Sequence, residues 1–154
     1  MSPKDKRSAW RSLSVAERRF LLRALVVLPA TAAGLRIFGL RRMLLWAAGA
    51  RGAPRPGPVD ERDAVRSASR LVASAARHGP YRASCLTVAL TLQRMLWSQG
   101  IASDLRIGVA TGAVALEAHA WVEHGGRPLI DGLDVHDRFR AFDTSLTGRS
   151  PVVR

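Results

Sequence analysis

Two hydrophobic periods divide the chain. Up to about Gly100 apolar side chains recur at helical spacing, and beyond it they recur at every second position. Ser14-Val-Ala-Glu17 is a capping-box pattern, in which a hydroxyl and a carboxylate satisfy free N–H groups of a first turn. It predicts a helix to about Leu28, stopped or kinked by Pro29. A second helix is expected from Ala32 to Ala48, with Leu35, Phe38 and Met43 to Trp46 apolar and Arg36, Arg41 and Arg42 on its rim. Together the two make a basic helical hairpin. Gly49 to Pro58 holds neither helix nor inner strand and reads as a stiff linker.

A third helix is expected from Val59, with Asp60, Glu61 and Asp63 in its first turn, Arg77 and His78 in its last, and Val65, Ala68, Leu71, Val72, Ala75 and Ala76 as its apolar stripe. Cys85 to about Ser98 is apolar nearly all round, the pattern of a central buried helix. Alternation over Leu105 to Val109 and over Ala118 to Glu123 then predicts antiparallel strands. His124-Gly125-Gly126 suits a three-residue hairpin loop leading into a strand over Pro128 to Asp131.

These elements describe an α+β fold in which an antiparallel sheet packs on a central helix. Two units are expected, a basic helical region with its linker over 1–58 and the main domain over 59–154. At 154 residues and 47% hydrophobic content the chain can build a real core. Its formal charge of +12 is uneven: residues 1–56 hold twelve basic residues against two acids, and the remainder twelve against ten. The basicity thus belongs to the leading helices. Phe20 to Leu40 is interrupted by Arg23, Pro29 and Arg36, which argues against a transmembrane span of roughly 18 uncharged residues. Lacking a convincing cleavage site, it also argues against a secretory signal.

A single cysteine, Cys85, excludes an intramolecular disulfide and a structural zinc site, and suits a reducing cytoplasm. At a helix start, the dipole and free N–H groups favour its thiolate, and the backbone N–H of Cys85 is a candidate oxyanion donor. His119 lies between two alanines too small to occlude its ring. The third member of a nucleophile, base and carboxylate set depends on the hairpin loop. A three-residue loop places His119 opposite Asp131, whereas a two-residue Gly125-Gly126 loop turns Asp131 to the other face, leaving Asp134 as the fallback. His78, His124 and His136 read as a helix-end partner, a turn residue and a member of an acidic stretch. Asp131, Asp134 and Asp137 are too sparse a set to argue for a metal, and no cofactor is expected.

Cys85-Leu-Thr-Val-Ala-Leu, Gly100-Ile-Ala-Ser-Asp-Leu-Arg-Ile-Gly-Val109, Ala118-His-Ala-Trp-Val-Glu123 and Gly126-Arg-Pro-Leu-Ile-Asp131 occur in this order. Over roughly residues 60–143 the chain resembles the transglutaminase-like B proteins of lasso-peptide biosynthesis. The resemblance implies a papain-like cysteine peptidase core that removes the leader from a ribosomally made precursor, with Cys85 as nucleophile, His119 as acid/base and Asp131 as orienting carboxylate. It implies three partners: the precursor peptide, a separate leader-recognition protein and an asparagine-synthetase-like lasso cyclase. Without a winged-helix segment before residue 59, the chain is similar to the stand-alone peptidase half.

Two other functions fit the residues. The same triad supports a transglutaminase or deamidase, and the basic hairpin supports a non-catalytic adaptor for an acidic partner or membrane surface. Nucleic acid is not expected, for want of a recognised motif and stacking aromatics. The expected localisation is cytoplasmic, with peripheral membrane contact through the leading helices as an option.

Overall fold

A computed structural model of the chain describes residues 12–49, 60–110, 117–132 and 134–142. Helix α1 (Val15–Ala48) starts at the expected capping box, with the Glu17 N–H donating to Ser14 Oγ at 3.2 Å and the Ser14 N–H donating to Glu17 Oε2 at 2.9 Å. The expected stop at Pro29 is absent. Pro29 sits inside the helix on its exposed side, where its ring does not displace a buried side chain. The break falls at Gly39 (φ 74°, ψ 171°), a conformation essentially restricted to glycine. Met43 then packs against Gly34, a residue that a straight helix would hold about 13 Å away along its axis. The hairpin therefore forms, with its turn at Gly39 instead of Pro29.

Both arms of the hairpin enter the main core. Ala24, Leu28, Met43 and Ala47 are buried in one cluster with side chains of the next two helices and the sheet. The expected linker and domain boundary fall in residues 50–59, outside the described residues, and the helices on either side share this core.

Helix α2 (Glu61–His78) is capped by Asp60, whose Oδ1 accepts the Asp63 N–H at 3.2 Å. It buries the stripe Val65, Ala68, Leu71, Val72 and Ala75. Glu17 ties α1 to it, accepting from Arg70 at 2.6 Å and from the Ser67 hydroxyl at 3.1 Å.

Helix α3 (Cys85–Trp97) is the expected central helix, with Leu90, Leu92, Met95 and Leu96 at most 1% exposed. Burying each such side chain contributes about 1.5–3 kcal/mol. A buried polar contact toward α1 is satisfied, Thr91 Oγ1 donating to Thr31 Oγ1 at 3.1 Å. Arg94 closes the end of α1, donating to the Trp46 carbonyl at 2.6 Å and stacking 3.8 Å from the Trp46 ring centre.

The sheet comprises β1 (Asp104–Ala110), β2 (Ala118–His124), β3 (Arg127–Pro128) and, after the short helix α4 (Val135–Arg138), β4 (Phe139–Ala141). Their order is β3-β2-β1-β4, antiparallel throughout. Alternation sorts the faces: Leu105, Ile107, Ala120 and Val122 meet the helical core, while Gly108 and His119, Arg106 and Trp121, and Asp104 and Glu123 pair on the other face. A second cluster, Trp121 with Val135 and Phe139, covers that face. The α+β expectation of an antiparallel sheet against a central helix is met.

Candidate active site

Cys85 is the first residue of α3 and is exposed. Ser84 ahead of it is the cap: its Oγ accepts the Thr87 N–H at 3.3 Å and its carbonyl accepts the Val88 N–H at 3.0 Å. The N–H groups of Cys85 and Leu86 have no such intramolecular acceptor among the described residues. They stand beside the sulfur with the positive end of the helix dipole behind them, an arrangement suited to holding negative charge.

His119 lies near the start of β2, opposite Gly108. A β-carbon on Gly108 would stand 2.8 Å from the Arg140 carbonyl oxygen and 3.0 Å from Trp121 Cη2, so the missing side chain lets β4 and the indole close up beside the histidine. The imidazole is flanked by Trp121, nearly parallel at 6.1 Å, and by Phe139 at 5.0 Å between ring centres. Trp121 is itself fixed, its Nε1 donating to buried Glu123 Oε1 at 2.8 Å. Arg106 Nε donates to the other oxygen of Glu123 at 3.2 Å.

The hairpin differs from the expected one. Glu123 pairs with Pro128 and His124 with Arg127, so the loop is the two residues Gly125 and Gly126, with φ of 57° and 76°. Positive φ at both positions is what a tight turn matched to strand twist requires, and two glycines supply it without strain. In a continued ladder this register would turn Asp131 away from His119. Ladder bonding ends, however, with the Leu129 N–H to the Val122 carbonyl at 3.0 Å, and β3 is only two residues long. Freed from strand alternation, Asp131 returns to His119, and its Oδ1 lies 2.8 Å from His119 Nε2.

An ionised carboxylate only accepts, so Nε2 carries the proton of neutral His119 and Nδ1 keeps the lone pair. Side-chain exposures of 23% for His119 and 29% for Asp131 leave the pair reachable from solvent. Asp134, the alternative carboxylate, lies at the start of α4 with Oδ2 3.6 Å from Arg138 Nη1.

Cys85, His119 and Asp131 line one cleft of about 210 Å³. Its remaining wall is mostly small or apolar, including Ala73 and Ala76 of α2, Ala83, Val88 and Leu92, with Arg77 as the added charge. None of the other histidines is among the residues lining the cleft. His124 Nδ1 lies 2.7 Å from the Ala102 carbonyl, His136 Nε2 lies 3.6 Å from Glu123, and His78 ends α2. Among the described residues no group of three His, Cys, Asp or Glu side chains is arranged to hold a metal ion.

Trp121 reads from sequence as a core or site-wall residue, and it is both buried and part of the cleft lining; the supporting roles of Glu123 and Phe139 come from the structure. Trp121 and Glu123 share the His119 face by alternation, a signal open to reading. Phe139 reaches the imidazole only through the pairing of β4 with β1, which no local pattern discloses.

The comparisons with known proteins agree with the fold. The family model of the transglutaminase-like superfamily matches residues 25–144, which takes in both arms of the hairpin from Leu25 onward, the cleft and the whole sheet. No curated protein and no solved structure matches the chain.

Proposed function

Since the chain belongs to the transglutaminase-like superfamily, we propose that it is a cysteine peptidase that removes the leader from a ribosomally made lasso-peptide precursor. The observation that carries the chemistry is the sharing of one cleft by an exposed Cys85 and a His119 hydrogen-bonded to Asp131 at 2.8 Å. The ordered motifs around Cys85, His119 and Asp131 support the choice of substrate.

In this reading His119 Nδ1 takes the thiol proton as Cys85 Sγ adds to the scissile carbonyl. The Cys85 and Leu86 N–H groups receive the oxyanion. Collapse breaks the C–N bond, the proton passes from His119 to the leaving amine, and a thioester remains on Cys85. Water then gives a proton to His119 and its oxygen to the thioester carbon. Expulsion of the thiolate, which takes the proton back, releases the carboxylic acid. Asp131 keeps Nε2 protonated and stabilises the imidazolium between these steps.

The substrate, its recognition protein and the cyclase that takes the product are the partners this reading requires. Incubating precursor and recognition protein with the purified chain should release a leader fragment detectable by mass spectrometry. Cys85→Ala should abolish it. An intact precursor lighter by no residue but altered at glutamine would assign a deamidase, and full cleavage by Cys85→Ala would remove the peptidase reading.

A further inference from the structure

One side of α1 is apolar yet faces no other described part of the chain. Leu22, Val26, Ala30, Ala33 and Ile37 follow one another at three- and four-residue spacing, on the side away from buried Ala24, Leu28 and Thr31. Val26 is 69% exposed, Ile37 71% and Phe38 54%. A continuous exposed apolar strip of this kind marks a surface that is used.

The strip runs into the Gly39 turn, where exposed Arg36, Arg41 and Arg42 surround Ile37, Phe38 and Leu40. No Asp or Glu occurs between Glu17 and Asp60. Its cover must therefore accept both bulky apolar groups and several guanidinium groups. A second copy of the chain meeting this face with its own would oppose arginine to arginine.

By length and composition α1 would suffice to cross a bilayer. It does not fit one as a span, because its other side supplies Ala24 at 0% and Leu28 at 3% exposure to the protein core and Gly39 breaks it. Lying along an interface leaves that core intact.

We propose that this face, from Leu22 to the Gly39 turn, docks on the surface of an anionic phospholipid bilayer. Ile37 and Phe38 enter the boundary between headgroups and acyl chains, while Arg36, Arg41 and Arg42 meet the phosphates. The proposal is independent of the chemistry assigned to the cleft.

The test is cosedimentation of the full chain with vesicles of phosphatidylglycerol and phosphatidylcholine, against vesicles of phosphatidylcholine alone. Binding is expected to the anionic vesicles, weakening as salt rises from about 0.05 M to about 0.5 M. Ile37→Ser/Phe38→Ser and Arg41→Gln/Arg42→Gln should each weaken it at least about tenfold with an unchanged thermal midpoint. All the substituted side chains are exposed, and the salt response of the parent chain is a test that needs no variant. No binding to anionic vesicles, equal binding to neutral ones, indifference to salt, or full retention by folded Ile37→Ser/Phe38→Ser would each overturn the proposal. So would a face whose variants lose a soluble acidic protein while the parent never binds vesicles.

Discussion

His119 Nε2 and Asp131 Oδ1 lie 2.8 Å apart in a hairpin whose register, if prolonged, would put them on opposite faces of the sheet. The contact exists because β3 stops at Pro128. Asp131 thus reaches the histidine from irregular chain, and Asp134 is drawn instead toward Arg138. Asp131→Ala should lower kcat for precursor cleavage about 10²–10⁴-fold, whereas Asp134→Ala should stay near the parent value. Steady-state kinetics on both variants decides the matter, and the reverse ranking would transfer the orienting role to Asp134.

Gly108 has no room for a side chain. In Gly108→Ala the added methyl would sit 2.8 Å from the Arg140 carbonyl oxygen and 3.0 Å from Trp121 Cη2. Relief requires β4 or the indole to move, at about 1–3 kcal/mol. Urea denaturation should show the loss. Turnover should fall with it, since Trp121 flanks the imidazole of His119.

Glu123 is a buried carboxylate held by two donors, Trp121 Nε1 and Arg106 Nε. Glu123→Gln keeps one acceptor but sets an amide against the guanidinium, and should cost about 1–3 kcal/mol. Glu123→Leu should cost more, because it leaves the buried indole N–H without an acceptor. Chemical denaturation of the two variants in parallel gives the order, and equal stability of the leucine variant and the parent would discount the network.

Glu17 links stability to pH. The Ser14 backbone N–H, followed by the Ser67 hydroxyl, holds its carboxyl below the ordinary value of 4.5; partial desolvation opposes this and Arg70 adds to it. With the folded value depressed, the stabilisation is complete above the ordinary carboxylate range and is lost as pH falls through the lower folded value. Glu17→Gln should therefore lower the thermal midpoint at neutral pH, and the gap to the parent should close in acid. The effect is modest, since the group is solvent-screened.

What could be read from the sequence is what local chemistry determines. The Ser14 capping box, the acids opening α2 and its buried stripe, the apolar α3 opening at Cys85 and the alternation in β1 and β2 all depend on neighbours within a few residues, and all are present. The order Cys85, His119, Asp131 was equally legible, together with the dependence of the last on the loop. Tertiary structure decided the rest. Helix α1 passes Pro29 because the packing of Ala24, Leu28 and Thr31 on its inner side outweighs the one backbone hydrogen bond that a proline removes, and it turns at Gly39 because that lets Met43 close on Gly34. The two glycines of the hairpin accept either loop length at little local cost, so the choice falls to the ladder they join. Where that ladder ends, and with it the position of Asp131 beside His119, is fixed by contacts between segments far apart in the chain, and no short-range pattern encodes those.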